Sequence, residues 1–403
     1  MSLHMTPQGD RTQIAIYGKR NAGKSSLTNA ITGQPLAIVS DVKGTTTDPV
    51  SKAMEILPIG PCMLIDTPGL DDEGELGQKR IQKAMQVLNK TDIAIVVLDI
   101  AALSKEELES ECGLPFKECE VLAQIEERKI PAILVLNQTD KLTTESMQQI
   151  QHSIMQKNPS LPVIAVSAKN GTGIQELKDA MIQKAPDVDC KLRIIGDKVE
   201  AGDIVVLVVP VDSAAPKGRL IMPQQQVIRD LLDHQAVAVV TQVPELGSVL
   251  ERLKGQVKLV ITDSQAFKEV AQIVPKELYL TSFSILFARH KGNLKKLVEG
   301  LRYIDRLQDN SRVLIAEGCT HHRQCDDIGT VKIPRWLRQY TGKELVIESS
   351  SGHEFPEDLT SYDLVIHCGG CTLHEKEMKH RIALANRQQV PIVNYGIFIA
   401  YVN

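Results

Sequence analysis

Aromatic residues are scarce, with one Trp, six Phe and seven Tyr in 403 positions, 3% in all. Cores without them are filled by Val, Ile, Leu and Ala, the composition of parallel α/β sheets buried on both faces. Long apolar runs are also missing. The longest are strand-length pieces such as 204–209, well short of the ~20 residues that a bilayer-spanning helix needs, so no membrane association is expected. Excess positive charge is absent too, the formal net charge being −4. A chain without it lacks the electrostatic footprint of a polyanion binder, and nucleic acid is not expected as a partner. The basic stretch 332–343 reads as a solvated face. No charged-then-apolar leader pattern opens the chain, and residues 1–5 are set aside from fold reasoning. The expected location is cytoplasmic and reducing. There, eight cysteines do not make a disulfide framework, and clustered ones point to a metal or to redox chemistry.

What is present is a repeated alternation of short β-type runs with helical stretches. The length allows two to three domains, and 43% hydrophobic residues suffice for each to bury its own core. Runs at 13–17, 63–65, 93–98, 133–136 and 163–166, with a helix at 174–184, predict a doubly wound, mainly parallel sheet in a first domain, 11–188. The alternation restarts at 204–211, 236–241, 259–262 and 278–281 in a second domain, 189–306. It carries no catalytic constellation and is expected to serve homodimerisation. Runs at 312–316, 344–348, 364–367 and 391–393, with helices at 335–340 and 375–388, mark a third domain, 307–403. The expected fold class is α/β, as three consecutive α/β domains.

Gly18, Gly23, Lys24 and Ser25 complete a GxxxxGK[ST] pattern directly after the first run and before a helix, the context in which it forms a phosphate loop. The glycines let the backbone N–H groups of Asn21, Ala22, Gly23, Lys24, Ser25 and Ser26 curl round phosphates at a helix N-terminus. Lys24 is expected to reach the β- and γ-phosphates, and Ser25 to bind Mg²⁺. In Asp66-Thr67-Pro68-Gly69, the carboxylate at a strand end can hold the metal's surroundings while the Gly69 N–H meets the γ-phosphate. Thr46, within Gly44-Thr45-Thr46-Thr47, is the expected second Mg²⁺ ligand. Asn137 and Asp140 follow the run 133–136, and the Asp140 carboxylate can accept from the two donors on guanine's Watson–Crick edge, a pattern adenine lacks. Gln138 stands where such loops usually carry Lys, so weaker affinity is expected with specificity kept by Asp140. Ser167 and Ala168 follow the run 163–166 and are expected to offer a backbone N–H to the guanine oxygen. These motifs predict binding of GTP and its hydrolysis to GDP and phosphate. No general base is identified.

Five motifs in this order make residues 13–184 resemble the translation-factor-related GTPases, especially the branch that includes the tRNA-modification GTPase TrmE and Era. The resemblance implies a P-loop GTPase fold. In that branch the residue after the DxxG glycine is hydrophobic instead of a water-positioning Gln, and here it is Leu70. TrmE-like relatives hold K⁺ with an Asn of the phosphate loop and a loop before the GTT triplet. Asn21 and the segment 40–43 occupy those positions, so K⁺ activation is implied.

Cys319-Thr320-His321 follows the run 312–316, and His367-Cys368-Gly369-Gly370-Cys371 closes the run 364–367. Strand carboxyl ends of an open parallel sheet share one edge, so the two clusters can converge on one crevice. Gly369 and Gly370 allow N–H groups to face the sulfurs, and a following helix points its positive end the same way, an environment expected to favour thiolates. Three readings stand: a dithiol redox pair, which leaves Cys319 unexplained; a closed tetrahedral Zn²⁺ site of three Cys and one His; and a [4Fe–4S] cluster on three cysteines with one labile position. Cys62, Cys112, Cys119 and Cys190 read as isolated core or surface residues, and His374 as a surface histidine.

CxH followed by HCxxC, behind a GTPase domain and a middle domain, resembles the HydF family of [FeFe]-hydrogenase maturation GTPases over essentially the whole chain. The resemblance implies a scaffold that carries a diiron precursor, meets the hydrogenase-maturation radical enzymes and passes its cargo to apo-[FeFe]-hydrogenase. It maps Cys319, Cys368 and Cys371 onto the ligands of a [4Fe–4S] cluster, with His321 a candidate fourth ligand and His367 the other motif histidine. The competing expectation is a ribosome- or tRNA-associated GTPase with a structural zinc module, against which the absence of a basic stripe speaks.

Overall fold

Three sheets carry the fold, and their central strands are the aliphatic runs. The structure, a computed structural model, describes residues 6–33, 49–70, 74–186, 193–210, 220–318, 327–352 and 354–402. The chain divides into two units, Met1–Asp189 and Cys190–Asn403.

In the first unit, β1 (Thr12–Tyr17), β2 (Val50–Ile56), β3 (Gly60–Asp66), β4 (Ile93–Asp99), β5 (Ala132–Asn137) and β6 (Val163–Ala165) form one sheet in the order β2-β3-β1-β4-β5-β6. All neighbours are parallel except β2, which runs antiparallel to β3. Every residue of β1 is buried, and the sheet packs an apolar cluster on each face, one around Ile14, Leu27 and Ile133 and the other around Tyr17, Val96 and Leu134. The strand order reverses about β1, so the crevice beyond its carboxyl end is the topological switch point where open α/β sheets bind ligands. Strand β2 has no counterpart among the sequence expectations. It is an edge strand with exposed Val50, Ser51, Ala53 and Glu55, and such half-solvated alternation gives no aliphatic run to detect.

The second unit holds two all-parallel sheets. Strands β7 (Ile204–Val208), β8 (Val237–Thr241), β9 (Val257–Thr262) and β10 (Tyr279–Ser282) lie in the order β10-β9-β7-β8. Strands β11 (Arg312–Glu317), β12 (Val346–Ser351), β13 (Leu364–His367) and β14 (Ile392–Asn394) lie in the order β12-β11-β13-β14. The fold is α/β in all three sheets. The edge strand β12 starts two residues later than the expected 344–348 and runs on to Ser351, an extension that leaves no apolar run to read because Ser349 to Ser351 are polar. The helix Tyr395–Val402 was not foreseen either. It is apolar nearly all round, so it shows no amphipathic period, and Ile397, Phe398 and Ile399 are buried.

One expectation about cysteine is corrected. Cys112 and Cys119 are joined by a disulfide. Gly113, at φ 69°, turns the chain so that the Cys112 Cα lies 6.8 Å from that of Cys119, within disulfide reach. Among the described residues no helix is long and apolar enough to cross a membrane.

Candidate functional site

The phosphate loop leaves β1 at Gly18 and enters the helix Lys24–Thr32. Gly23 has φ 87°, and a Cβ there would collide with the Asn137 side chain, so only glycine allows the loop and the base-reading segment to approach this closely. Asn137 is the tie between them: its Nδ2 donates to Ala22 O at 2.9 Å, and its Oδ1 accepts from the Ala168 N–H at 3.1 Å. Ser167 donates through Oγ to Asp140 Oδ1 at 2.7 Å, which holds the Asp140 carboxyl below the usual carboxylate range. Charged and facing solvent, that carboxylate is an acceptor ready for a base edge. Gln138, in the left-handed region at φ 65°, donates from Nε2 to Asn21 O at 2.9 Å.

On the metal side, Ser25 Oγ donates to Asp66 Oδ2 at 2.6 Å. Asp66 Oδ1 is buried with no hydrogen-bond partner among the described residues, and burial raises the carboxyl pKa against the pull of Ser25 and Lys24. A buried carboxylate oxygen lacking a donor, beside a serine hydroxyl, fits the surroundings of a divalent cation. Lys24 Nζ donates to Gly18 O and Lys19 O, both at 2.8 Å, which holds the ammonium within the phosphate loop. Ser26 lies in the first turn of the helix, Gly69 is buried, and the Leu70 N–H donates to Gly18 O at 3.3 Å. Leu70 is 1% exposed, a core residue with no group to position water. Thr46 and the segment 40–43 lie outside the described residues.

In the second unit, β11 and β13 are register neighbours, Ala316 opposite His367, so their carboxyl ends open side by side. The Gly318 N–H donates to Cys368 Sγ at 3.0 Å, and the Gly370 N–H does so at 3.4 Å. Thr372 Oγ1 donates to Gly318 O at 2.9 Å. The strand end that precedes Cys319 is thus stitched to the CxxC loop, while Cys319 and His321 themselves lie outside the described residues. Cys371 lines a cavity of about 150 Å³ together with Gly369, Ser284, Phe287 and Ser264.

His367 is fully buried. Its Nδ1 lies 2.8 Å from Cys368 O and its Nε2 3.1 Å from Arg381 Nη1. A carbonyl only accepts and a guanidinium only donates, which fixes the proton on Nδ1 and uses both ring nitrogens. Burial, reinforced by the Arg381 charge, pushes its pKa down to about 3. The thiols move the other way. Burial raises Cys368 against the two N–H bonds, and burial with the neighbouring Cys368 pushes Cys371 up to about 11. The expectation of a thiolate-favouring environment is therefore corrected for the metal-free protein: desolvation outweighs the donors, and binding a metal must release protons. Two half-buried cysteines on an N–H-lined loop nevertheless suit a thiolate-ligated cluster.

Several residues that build these sites carry no motif. Glu118, 1% exposed, accepts from the Lys19 N–H at 3.3 Å. Arg381, 2% exposed, donates to His367, to Gly352 O at 2.6 Å and to Glu377 Oε1 at 2.7 Å. His374 is a buried N-cap for the helix Glu375–Arg387, not a surface histidine, since the cap places its ring against the helix start.

Family models match in three stretches. One described as a hydrogen maturase F tetramerization domain matches residues 295–403, one described as a hydrogen maturase F dimerization domain matches 194–292, and one described as a 50S ribosome-binding GTPase matches 13–138. GTPase Der of Kosmotoga olearia is 30% identical over 191 residues, which is 45% of this chain and 41% of that protein. The tRNA modification GTPase MnmE of Alkaliphilus oremlandii is 33% identical over 170 residues, 42% of this chain and 33% of that protein. The chain thus spans less than half the length of these curated relatives. A solved structure of Era from Aquifex aeolicus aligns at a TM-score of 0.39 and 20% identity, covering 61% of this chain and 98% of that one.

Proposed function

The chain belongs to the hydrogen maturase F family, and from that premise we propose that it is a GTPase that carries a [4Fe–4S] cluster and delivers a diiron precursor to apo-[FeFe]-hydrogenase. GTP enters at the carboxyl edge of the first sheet. The N–H groups of Asn21 to Ser26 receive its phosphates, Lys24 turns from the loop carbonyls to the β- and γ-phosphates, and Asp140 reads the guanine edge beside Ser167 and Ala168. Ser25 and Thr46 would ligate Mg²⁺, with Asp66 in the metal's surroundings, and the ion would neutralise charge on the transferred phosphoryl group. K⁺ beside Asn21 is part of the proposal, since Leu70 leaves no glutamine to order the attacking water. The products are GDP and phosphate.

Cys319, Cys368 and Cys371 would hold the cluster, with His321 the candidate fourth ligand. His367, whose two nitrogens are engaged, orients the Cys368 backbone. When bound, the cluster supplies an iron position to which cargo can attach. The observation that carries this reading is the Gly318 N–H on Cys368 Sγ at 3.0 Å, which ties the residue before Cys319 to the second half of the cysteine motif. Hydrogenase-maturation radical enzymes are the proposed upstream partners, and the middle and last family domains support self-association, a homodimer at least. The proposed domain division is 11–188, 189–306 and 307–403, in a cytoplasmic protein. The ribosome- or tRNA-associated reading rests on the GTPase model matching residues 13–138 and on distant likeness to a tRNA modification GTPase, and no feature of the second unit's described residues favours it.

Anaerobic reconstitution with iron and sulfide, followed by absorption and reduced EPR spectra, tests the cluster. Wild-type protein should give a brown, EPR-active centre that Cys319→Ala and Cys368→Ala lose. A colourless protein holding one zinc would sink the proposal. GTP turnover should be faster in K⁺ than in Na⁺, and Asn21→Ala should erase that difference. Equal rates for the wild type in both salts remove the K⁺ element.

A further inference from the structure

Lys291 ends the helix Phe283–Lys291 and is 1% exposed, a rare place for a lysine, because an ammonium is costly to remove from water unless its donors are used. Two of its donors go to one short segment: Nζ donates to Cys371 O and to Leu373 O, both at 3.0 Å. Nζ also lies 5.6 Å from the centroid of the Phe287 ring, and Phe287 lines the cavity that Cys371 opens onto. The residue comes from the helix after β10 and reaches a loop that begins about 80 positions later. A methionine of similar length would fill the space without the charge. Thiolate-ligated clusters are anionic, and their retention and potential respond to nearby charge and to how the ligand loop is held.

We propose that Lys291 is a positioning residue for the cysteine site: its ammonium fixes the Cys371–Leu373 backbone and supplies positive charge that favours an anionic, thiolate-ligated cluster at Cys371. This inference rests on the cluster reading above.

The test uses the full-length chain, reconstituted anaerobically as wild type, Lys291→Met, Lys291→Gln and Lys291→Arg. Far-UV circular dichroism and thermal midpoints of the metal-free proteins report folding. Iron and sulfide content and an EPR-monitored redox titration report the site. Both neutral variants should retain several-fold less iron, and the cluster they keep should titrate at a more negative potential. Lys291→Arg should restore both. Neutral variants with wild-type iron content and potential overturn the proposal, as does a loss of thermal stability with the potential unchanged, because that is the signature of packing alone. If Lys291→Met fails to fold, the Gln and Arg pair decides by the same two readouts. Wild-type protein that takes up no cluster overturns the cluster reading and this inference with it, an outcome distinct from a wild-type cluster to which every variant is indifferent.

Discussion

The nucleotide site of the first unit and the cysteine site of the second are both built at the carboxyl ends of parallel strands, but they are held in opposite ways. In the first, contiguous motif residues bond to one another: Asn137 to Ala22 and Ala168, Gln138 to Asn21, Ser25 to Asp66, Ser167 to Asp140. In the second, beside bonds within the loop, the motif is held by buried charges from outside it, by Arg381 through His367 and by Lys291 through the Cys371 and Leu373 carbonyls. The first site is a set of loops that can open to a ligand. The second sets half-buried cysteines on a backing of buried Arg381, Lys291 and His367, so its chemistry is coupled to the stability of the unit.

The largest effect that would sharpen this contrast is on turnover. Lys24→Ala should lower GTP hydrolysis by ~100-fold or more, the scale on which a lost transition-state donor acts, while iron uptake stays at the wild-type level. Phosphate release and iron content on the same preparation check both halves. A joint loss would break the separation of the two sites. Next, Arg381→Met should destabilise the second unit by roughly 3–5 kcal/mol, because it removes the guanidinium that bonds His367, Gly352 O and Glu377 in a buried site. Urea unfolding followed beside GTP binding would show one unit failing first, and a change below ~1 kcal/mol would mean the network is not what holds the loop.

Acid provides the third test. His367 titrates near 3 in the folded protein instead of 6.5 because burial and Arg381 disfavour its charged form. The unfolded chain therefore binds the extra proton first, and stability is complete above about 6.5 and is lost as pH falls from there towards about 3. The slope is ~1.4 kcal/mol per pH unit for one proton. Urea midpoints of the metal-free protein at a series of pH values should show it, and His367→Gln should flatten it. An unchanged slope in that variant would assign the acid sensitivity elsewhere.

The contrast also explains what could be read from the chain alone. Strands such as β13, Leu364–His367, announce themselves as aliphatic runs, and Gly18 to Ser25 is legible because backbone geometry demands glycine at fixed spacing. The edge strand β2 and the apolar helix Tyr395–Val402 lack a period. Lys291, Arg381 and Glu118 look like surface charges: Arg381 pairs with Glu377 at i,i+4 as an exposed helix face would, and the partners that show Lys291 and Glu118 to be buried lie scores of positions away. The direction of the thiol shift was missed for a related reason: N–H donors are readable from Gly369 and Gly370, whereas the desolvation that outweighs them depends on packing by distant chain.

The smallest effect concerns Gln138. Its Nε2 bond to Asn21 O is exposed and neutral, so it should be worth ~1 kcal/mol at most, about a fivefold change in binding. Gln138→Ala should weaken GDP binding by roughly that factor by letting the phosphate loop and the base-reading loop move independently. It should leave discrimination between guanine and adenine nucleotides intact, because Asp140 is held by Ser167 and not by Gln138. Titration with fluorescent GDP and ADP analogues separates the two quantities. Loss of discrimination with affinity preserved would show that Gln138 acts on the base and not on the loop, and the first site would then be less self-contained than its hydrogen bonds indicate.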